Sequence, residues 1–474
     1  MKIKKLSRIC SIGTVIFLLI GCSFAWSEER ELDDEDINMA VFTEILSDEA
    51  VSPHLLNIHT SDGIVTLSGS VDNILDRDRA ISIAQSIKGV RAVVDKMEVK
   101  AVERSDRQLR EDVKEALLKD PATDSYELGV QVLEGFVTLS GTVDSYAEWH
   151  LCSQVAKSVL GVKGVRNVID VEYREERADH EIKADIEGRL NSDVRIDNAL
   201  IDVEVRDGHV TLTGKVGSTK EKFLAEFDAW VSGVKSVQAD GLEIEWWARD
   251  RMQVKDVKDP SDVWIEEAIK DAFFYDPRVL SFELEVDVED GIATLMGEVD
   301  NLKAKQAAQK DAENTVGVNW VRNYIRVVPG DLRSDLEIAE DVRTALKKDP
   351  YVNRFDVSVL VFNNKVHLYG AVDSHFQKYQ AEHVASGIAG VVDVENNMKI
   401  EYSWEGKNDW QIKWDIERQL SWSPYFEDDE IEVEVTNGVA KLTGKVDTWF
   451  EYSEAAKEAM EGGAKEVINK LEVQ

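Results

Sequence analysis

Six times along the chain, apolar residues recur at i, i+4 and i+8. The sets are Ile37/Val41/Ile45, Leu109/Val113/Leu117, Ile182/Ile186/Leu190, Ile265/Ile269/Phe273, Ile338/Val342/Leu346 and Ile412/Ile416/Leu420. That spacing draws one narrow stripe along a helix, enough to bury a single face. Three of these helices run into Asp-Pro, at Asp120-Pro121, Asp276-Pro277 and Asp349-Pro350, where the residue before proline resists the α conformation. The period then changes from 3.6 to two, most plainly in Ile431-Glu432-Val433-Glu434-Val435, which predicts a strand with one buried face. A turn pair follows, usually of the type Asp62-Gly63, Asp207-Gly208 or Asn437-Gly438, with Asn363-Asn364 in the fifth copy. Such pairs tolerate positive φ, so a hairpin is predicted.

The returning strand carries a motif, Val65-Thr66-Leu67-Ser68-Gly69-Ser70-Val71-Asp72 in its first copy. It recurs as Val137 to Asp144, Val210 to Gly217, Ala293 to Asp300, Val366 to Asp373 and Ala440 to Asp447. The motif glycines Gly69, Gly141, Gly214, Gly297, Gly370 and Gly444 are 72, 73, 83, 73 and 74 residues apart. A period of this size marks tandem structural units. The single long interval holds extra linker, Glu245 to Pro260, with Trp246-Trp247 at its start.

An Ala-rich second helix comes next, such as Ala304 to Asn314 or Tyr452 to Glu461. It closes at Gly-Val-x-x-Val: Gly89-Val90, Gly164-Val165, Gly233-Val234, Gly317-Val318, Gly390-Val391 and a weaker Gly463-Ala464. Glycine followed by β-branched residues reads as a C-cap and then a strand. Each unit is therefore α-β-β-α-β, an α+β fold in which two helices cover one face of a three-stranded mixed sheet. The second and third strands, joined through a helix, should run parallel. The units are expected at 33–100, 105–174, 179–246, 261–328, 333–402 and 408–474, each closing its own core as a separate small domain.

Composition locates the chain more than it assigns chemistry. Its 474 residues hold 92 Asp+Glu against 56 Lys+Arg, a net charge of −36, with 43% hydrophobic residues. The apolar share is ample for packed cores. The acidity argues against nucleic acid and against general adhesion to anionic lipid. Residues 1–22 look like a targeting segment: Lys2, Lys4, Lys5 and Arg8 precede an apolar run from Ile9 to Ile20 that is too short to span a bilayer. Two processing sites compete. Leu19-Ile20-Gly21-Cys22 resembles the bacterial lipobox, in which Cys22 is acylated and becomes the N-terminus, whereas Ser23-Phe24-Ala25 fits ordinary small-x-Ala cleavage. The position of Leu and Gly after the apolar run favours lipidation of Cys22, and Ser23 then favours the outer membrane by resemblance to enterobacterial lipoproteins. Removal of residues 1–21 takes the formal charge from −36 to −40 and leaves Cys152 as the one thiol free of the lipid site. No disulfide framework is expected, and Cys152 reads as a small buried apolar residue.

Candidate chemistry is sparse. The Asp residues that end the motif (Asp72, Asp144, Asp300, Asp373, Asp447) are expected to cap the second helix. The motif glycines, where a strand ends before a helix, are expected to allow close helix–strand approach or a bulge. His367, His375 and His383 lack ligand spacing. The acidic runs Asp33-Asp34-Glu35-Asp36 and Glu427-Asp428-Asp429-Glu430 lack the alternation of a calcium loop and read as solvated. No nucleophile elbow, P-loop or metal-binding signature occurs, so neither an enzyme nor a cofactor or metal is expected.

The strand-borne Leu-x-Gly-x-Val-Asp and the later Gly-Val-x-x-Val, in this order of elements and six times over, resemble the BON domain, named for bacterial OsmY and nodulation proteins. Gly217 in place of the motif Asp is one departure. The resemblance implies a periplasmic or outer-membrane protein, non-enzymatic, that binds phospholipid or envelope proteins and supports envelope integrity under osmotic stress. The alternative it implies is a periplasmic chaperone for exported clients. Neither a small-molecule substrate nor nucleic acid is an expected partner. Trp410 and Trp414 share a helix face displaced about 200° from the Ile412/Ile416/Leu420 stripe. With Trp246 and Trp247 they are the candidate contacts for a membrane or partner. Packing against Trp404 or a neighbouring unit is the competing reading for the pair.

Overall fold

In the computed structural model the described residues are 32–51, 55–123, 127–173, 177–246, 248, 260–330, 333–401, 407–426 and 431–473. Cys22, Trp247, Trp404 and the 427–430 acidic run lie outside them. The helices in chain order are α1 (Asp34–Ser47), α2 (Ile74–Gln85), α3 (Asp106–Lys119), α4 (Tyr146–Lys157), α5 (Asp179–Ser192), α6 (Thr219–Asp228), α7 (Asp262–Tyr275), α8 (Leu302–Glu313), α9 (Asp335–Lys348), α10 (His375–Ser386), α11 (Asp409–Trp422) and α12 (Trp449–Glu461). Each repeat holds two of them around a sheet whose central strand carries the motif. The first strand pairs with it antiparallel and the third parallel. The fold is α+β, written six times.

The motif's first and third residues make the centre of every core. Val65/Leu67, Val137/Leu139, Val210/Leu212, Ala293/Leu295, Val366/Leu368 and Ala440/Leu442 are all buried, beneath the stripes Ile37/Val41/Ile45 to Ile412/Ile416/Leu420. Residues between them point away from the helices, as the two-residue period requires. In repeats 4 and 5 the third strand is interrupted. Asn323 and Asn396 turn their side-chain oxygens onto the backbone N–H of Ile325 and Met398 at the break.

The hairpin turns have positive φ at both central residues, including Asn363 (50°) and Asn364 (64°), as a tight primed turn needs. Each turn is also clamped from the first helix. Asp34, Asp106, Asp179, Asp262, Asp335 and Asp409 each accept both turn N–H groups, at 2.8–3.1 Å. These bonds hold the Asp34 and Asp179 carboxyls below the usual carboxylate range. The repeating Asp, at the first position of each first helix, was present in the sequence as a signal. Asp335→Ala should therefore loosen the repeat 5 hairpin and lower its thermal midpoint by several degrees. Hydrogen exchange at Asn363 and Asn364 is the local check.

Three local expectations are corrected. The second helices are capped by the residue after the motif Asp: Asn73, Ser145, Ser218, Asn301, Ser374 and Thr448 accept the N3 N–H. The residue one position later is the last in extended conformation before the helix, and its side-chain oxygen reaches that donor. In repeat 2 the cap glycine is Gly161, with φ 97°, whereas Gly164 already begins the third strand. The motif glycines face a strand rather than a helix. Gly69 and Gly214 have φ of 112° and 122°, and an added Cβ would overlap the carbonyl oxygens of Leu55 and Leu200, just before the first strands.

The repeats do not stand apart as beads. Residues 33–474 form one compact unit, and three pairs share one contact. The N–H just before the cap glycine donates to the last carbonyl of a partner repeat's first helix: Lys88 to Trp422, Leu160 to Lys348 and Val316 to Ser192, at 3.3, 2.9 and 2.9 Å. Repeat 1 thus pairs with repeat 6, repeat 2 with repeat 5, and repeat 3 with repeat 4. The second pair is reciprocal, since Lys119 meets Asp341 while Lys348 meets Asp112, as in a two-fold interface. Second helices join the first three repeats: Lys157 binds Asp78, Tyr146 stacks on Trp230 and Lys220 reaches Ser82. Helices therefore lie between repeats, and a surface that the isolated unit would leave to solvent is buried against its neighbours.

Candidate docking surface

The helical register of α11 dictates where its indoles go. Ile412, Ile416 and Leu420 are buried in the repeat 6 core. Trp410 and Trp414, on the opposite side, are 69% and 48% exposed. The Arg418 guanidinium lies 4.5 Å over the Trp414 ring, one turn along the same face, which adds a cation to the aromatic pair. The neighbouring aromatics serve other ends. Tyr425 packs edge-on against Phe450 at 4.9 Å, in a junction with Val194 of repeat 3 and Val316 of repeat 4, and the Trp422 carbonyl is engaged by repeat 1. Trp246 is half-buried at the start of the linker.

A second apolar surface was not singled out from the sequence. Met39, Phe42 and Leu46 are exposed along the outer side of α1, at the i, i+3, i+7 spacing of one helix face. Helices α1 and α11 touch, because Gln419 Nε2 donates to Glu44 Oε1 at 3.0 Å. The signal was the second apolar set on α1, which the search for a single core stripe passes over.

Between repeats 1, 2, 4 and 5 lies a cavity of about 960 Å³. Four of its lysines are matched to carboxylates of other repeats: Lys157 with Asp78, Lys119 with Asp341, Lys303 with Asp120 and Lys348 with Asp112. It reads as an ionic seam. His383 lines it and is held down to about 4 by burial, then by Lys303 and Arg278. His367 lies on the outer sheet face of repeat 5, 3.4 Å from Glu395, and His375 opens α10. Among the described residues no group of three His, Cys, Asp or Glu side chains is placed to hold a metal ion. Cys152 is enclosed in the repeat 2 core, where burial pushes its thiol up to about 12, far from thiolate chemistry. No helix among the described residues is long and apolar enough to cross a membrane.

The family model for the BON domain matches residues 33–101, 105–173, 178–245, 261–329, 334–402 and 408–474, nearly all of the described chain. The chain belongs to the BON family. It is also similar to the osmotically-inducible protein Y of Escherichia coli (strain K12), with 31% identity over 143 residues, 29% of this chain and 71% of that protein. BON domains and this relative are of a non-enzymatic kind. Two solved structures of CdsD, a structural protein of the type III secretion system of Chlamydia trachomatis, are 16% and 17% identical. They cover 45% and 43% of this chain and 100% and 90% of their own, with TM-scores of 0.12 and 0.13. Scores that low carry no argument about this BON protein.

Proposed function

We propose that this BON protein is a non-enzymatic component of the bacterial envelope, lipid-anchored through Cys22 in the outer membrane and facing the periplasm, that docks onto phospholipid and supports envelope integrity under osmotic stress. The observation that carries the reading is the exposed Trp410/Trp414 pair, turned away from its own core with Arg418 beside it. Indoles suit the headgroup boundary, where one edge is apolar and the other wet. The net charge of −36 opposes adsorption over the whole surface, so contact is local and favours zwitterionic headgroups. The exposed stripe on α1 is a second candidate contact, because α1 begins 12 residues after Cys22, a chain reach of at most about 40 Å.

The test is Trp410→Ala with Trp414→Ala in protein lacking residues 1–22, sedimented with phosphatidylethanolamine/phosphatidylcholine vesicles. Binding should fall at least tenfold with the melting curve unchanged. Binding intact with a lowered melting temperature would make the rings structural. Lost protection of an aggregating client, with vesicle binding untouched, would move the surface to a chaperone role. In cells, Cys22→Ala should release the protein from membranes. A wild-type chain recovered unacylated and beginning at Trp26 would remove the anchor.

A further inference from the structure

The residues ten positions after the clamp Asp differ among the three pairs of repeats. In the 2–5 pair these are Ala116 and Ala345, and in the 3–4 pair Arg189 and Ala272. In the 1–6 pair they are Glu44 and Gln419, which hydrogen-bond to each other. More carboxyls converge on this contact. Asp48 and Glu49 follow α1, and α12 contributes Glu454, Glu458 and Glu461. Cations are present but committed. Arg79 of α2 meets Asp48 and Glu461 at 2.5 and 3.0 Å, Lys457 meets Glu454 at 2.5 Å, and Arg418 meets Asp415 at 3.5 Å. Lys220 of repeat 3 stands beyond Lys457 and Glu454 and reaches Ser82 at 3.2 Å.

Among the described residues, Glu44, Glu49 and Glu458 have no cation within ion-pair distance. Glu49 instead accepts the Phe376 N–H of repeat 5 at 2.7 Å. One carboxyl oxygen of Glu458 is buried without a hydrogen-bond partner. On the other side of repeat 1, one Asp76 oxygen accepts from Asn73 Nδ2 at 2.8 Å, and the other is buried, with the Tyr351 hydroxyl of repeat 5 beside the carboxyl and Asp72 and Asp48 nearby. An ionised carboxylate in such a place lacks the solvation it has in water, whereas the neutral acid loses little.

We propose that repeat 1 is an acid-held latch, docked on repeats 5 and 6 through protonated carboxyls and released as the medium turns alkaline. Burial, with Glu461 next, pushes Glu44 up to about 7, and burial likewise raises Asp76 to about 7. Glu49, Glu458 and Glu461 are raised by burial first as well. The docked form therefore binds more protons than the free form. Its stability is complete below about pH 4.5 and is lost as pH rises through 7. In the 2–5 pair Lys119 and Lys348 meet their carboxylates directly, and the bonds from Lys119 and Lys348 hold Glu115 below the usual carboxylate range, so this contact is not weakened over the same range. The contacts of α2 with repeats 2 and 3, Lys157 with Asp78 and Lys220 with Ser82, are not of this kind, so release opens the faces that repeat 1 turns towards repeats 5 and 6. The latch does not rest on the docking surface.

Hydrogen exchange of the whole mature chain between pH 5.5 and 8.5, corrected for the intrinsic pH dependence of exchange, tests this. Protection in α1 and α2 should fall at least tenfold more than protection in α3 and α9, and the radius of gyration from small-angle scattering should rise. Glu44→Gln with Glu458→Gln should flatten the response. Equal loosening of all repeats, or constant protection in α1, would overturn the proposal. So would a folded double variant that keeps the full response. If that variant does not fold, the wild-type comparison of α1 with α3 decides alone.

Discussion

Gly214→Ala is expected to unfold repeat 3. The native φ of 122° lies where a side chain is strained, and the new Cβ would overlap the Leu200 carbonyl oxygen. Gly214 is fixed in register with Ile201, and Leu200 immediately precedes that pair, so its carbonyl cannot swing clear without disturbing the start of the strand. Strain and overlap together should cost roughly 3 kcal/mol or more, a large fraction of what a unit of this size can hold. The control is Gly188→Ala, on the exposed side of α5 with nothing within 4 Å of the added carbon. There the same change should stabilise by about 0.5–1 kcal/mol. Differential scanning calorimetry of the two variants would check the pair. A Gly214→Ala midpoint at or above the wild-type value would remove the close backbone approach as the reason for the motif glycine.

The second large effect belongs to Phe450→Ala. This ring is almost wholly buried at the start of α12, yet it packs with Val194 of repeat 3 and Val316 of repeat 4 rather than in its own repeat's main cluster. Loss of the ring should cost about 3–5 kcal/mol and be felt mostly as detachment of repeat 6. A cooperative wild-type transition should become two steps, the earlier one reporting α11 and α12. A melting curve moved by less than a degree would mean that the repeats are independent after all. Leu368→Ala, fully buried in the repeat 5 core, gives the comparison of an intra-repeat loss, about 2–5 kcal/mol.

The unit itself was legible because its information is local and repeated. Stripe, turn pair, motif strand and cap glycine each follow from the backbone preferences of a few adjacent residues, and six copies separate pattern from accident. The register that places Trp410 and Trp414 opposite Ile412 and Ile416 is likewise a property of one helix, so their outward direction follows from residue spacing alone. Where local reading failed, two candidates competed within a residue or three: Asp72 against Asn73 as the cap, and Gly164 against Gly161 as the helix end. Hydrogen-bond geometry chose between them.

The assembly was not legible. Nothing in repeat 1 shows that it closes on repeat 6, and the residues that do so fall on helix faces that read as polar and solvated in isolation. Glu44, Asp76 and Glu458 are ordinary surface carboxyls until another repeat covers them, and Tyr425 is a spare aromatic until Phe450 meets it. The meaning of such carboxyls depends on contacts between residues hundreds of positions apart, such as Glu44 with Gln419. Local propensity settled what each unit is, while burial between units decided which charges lose their water.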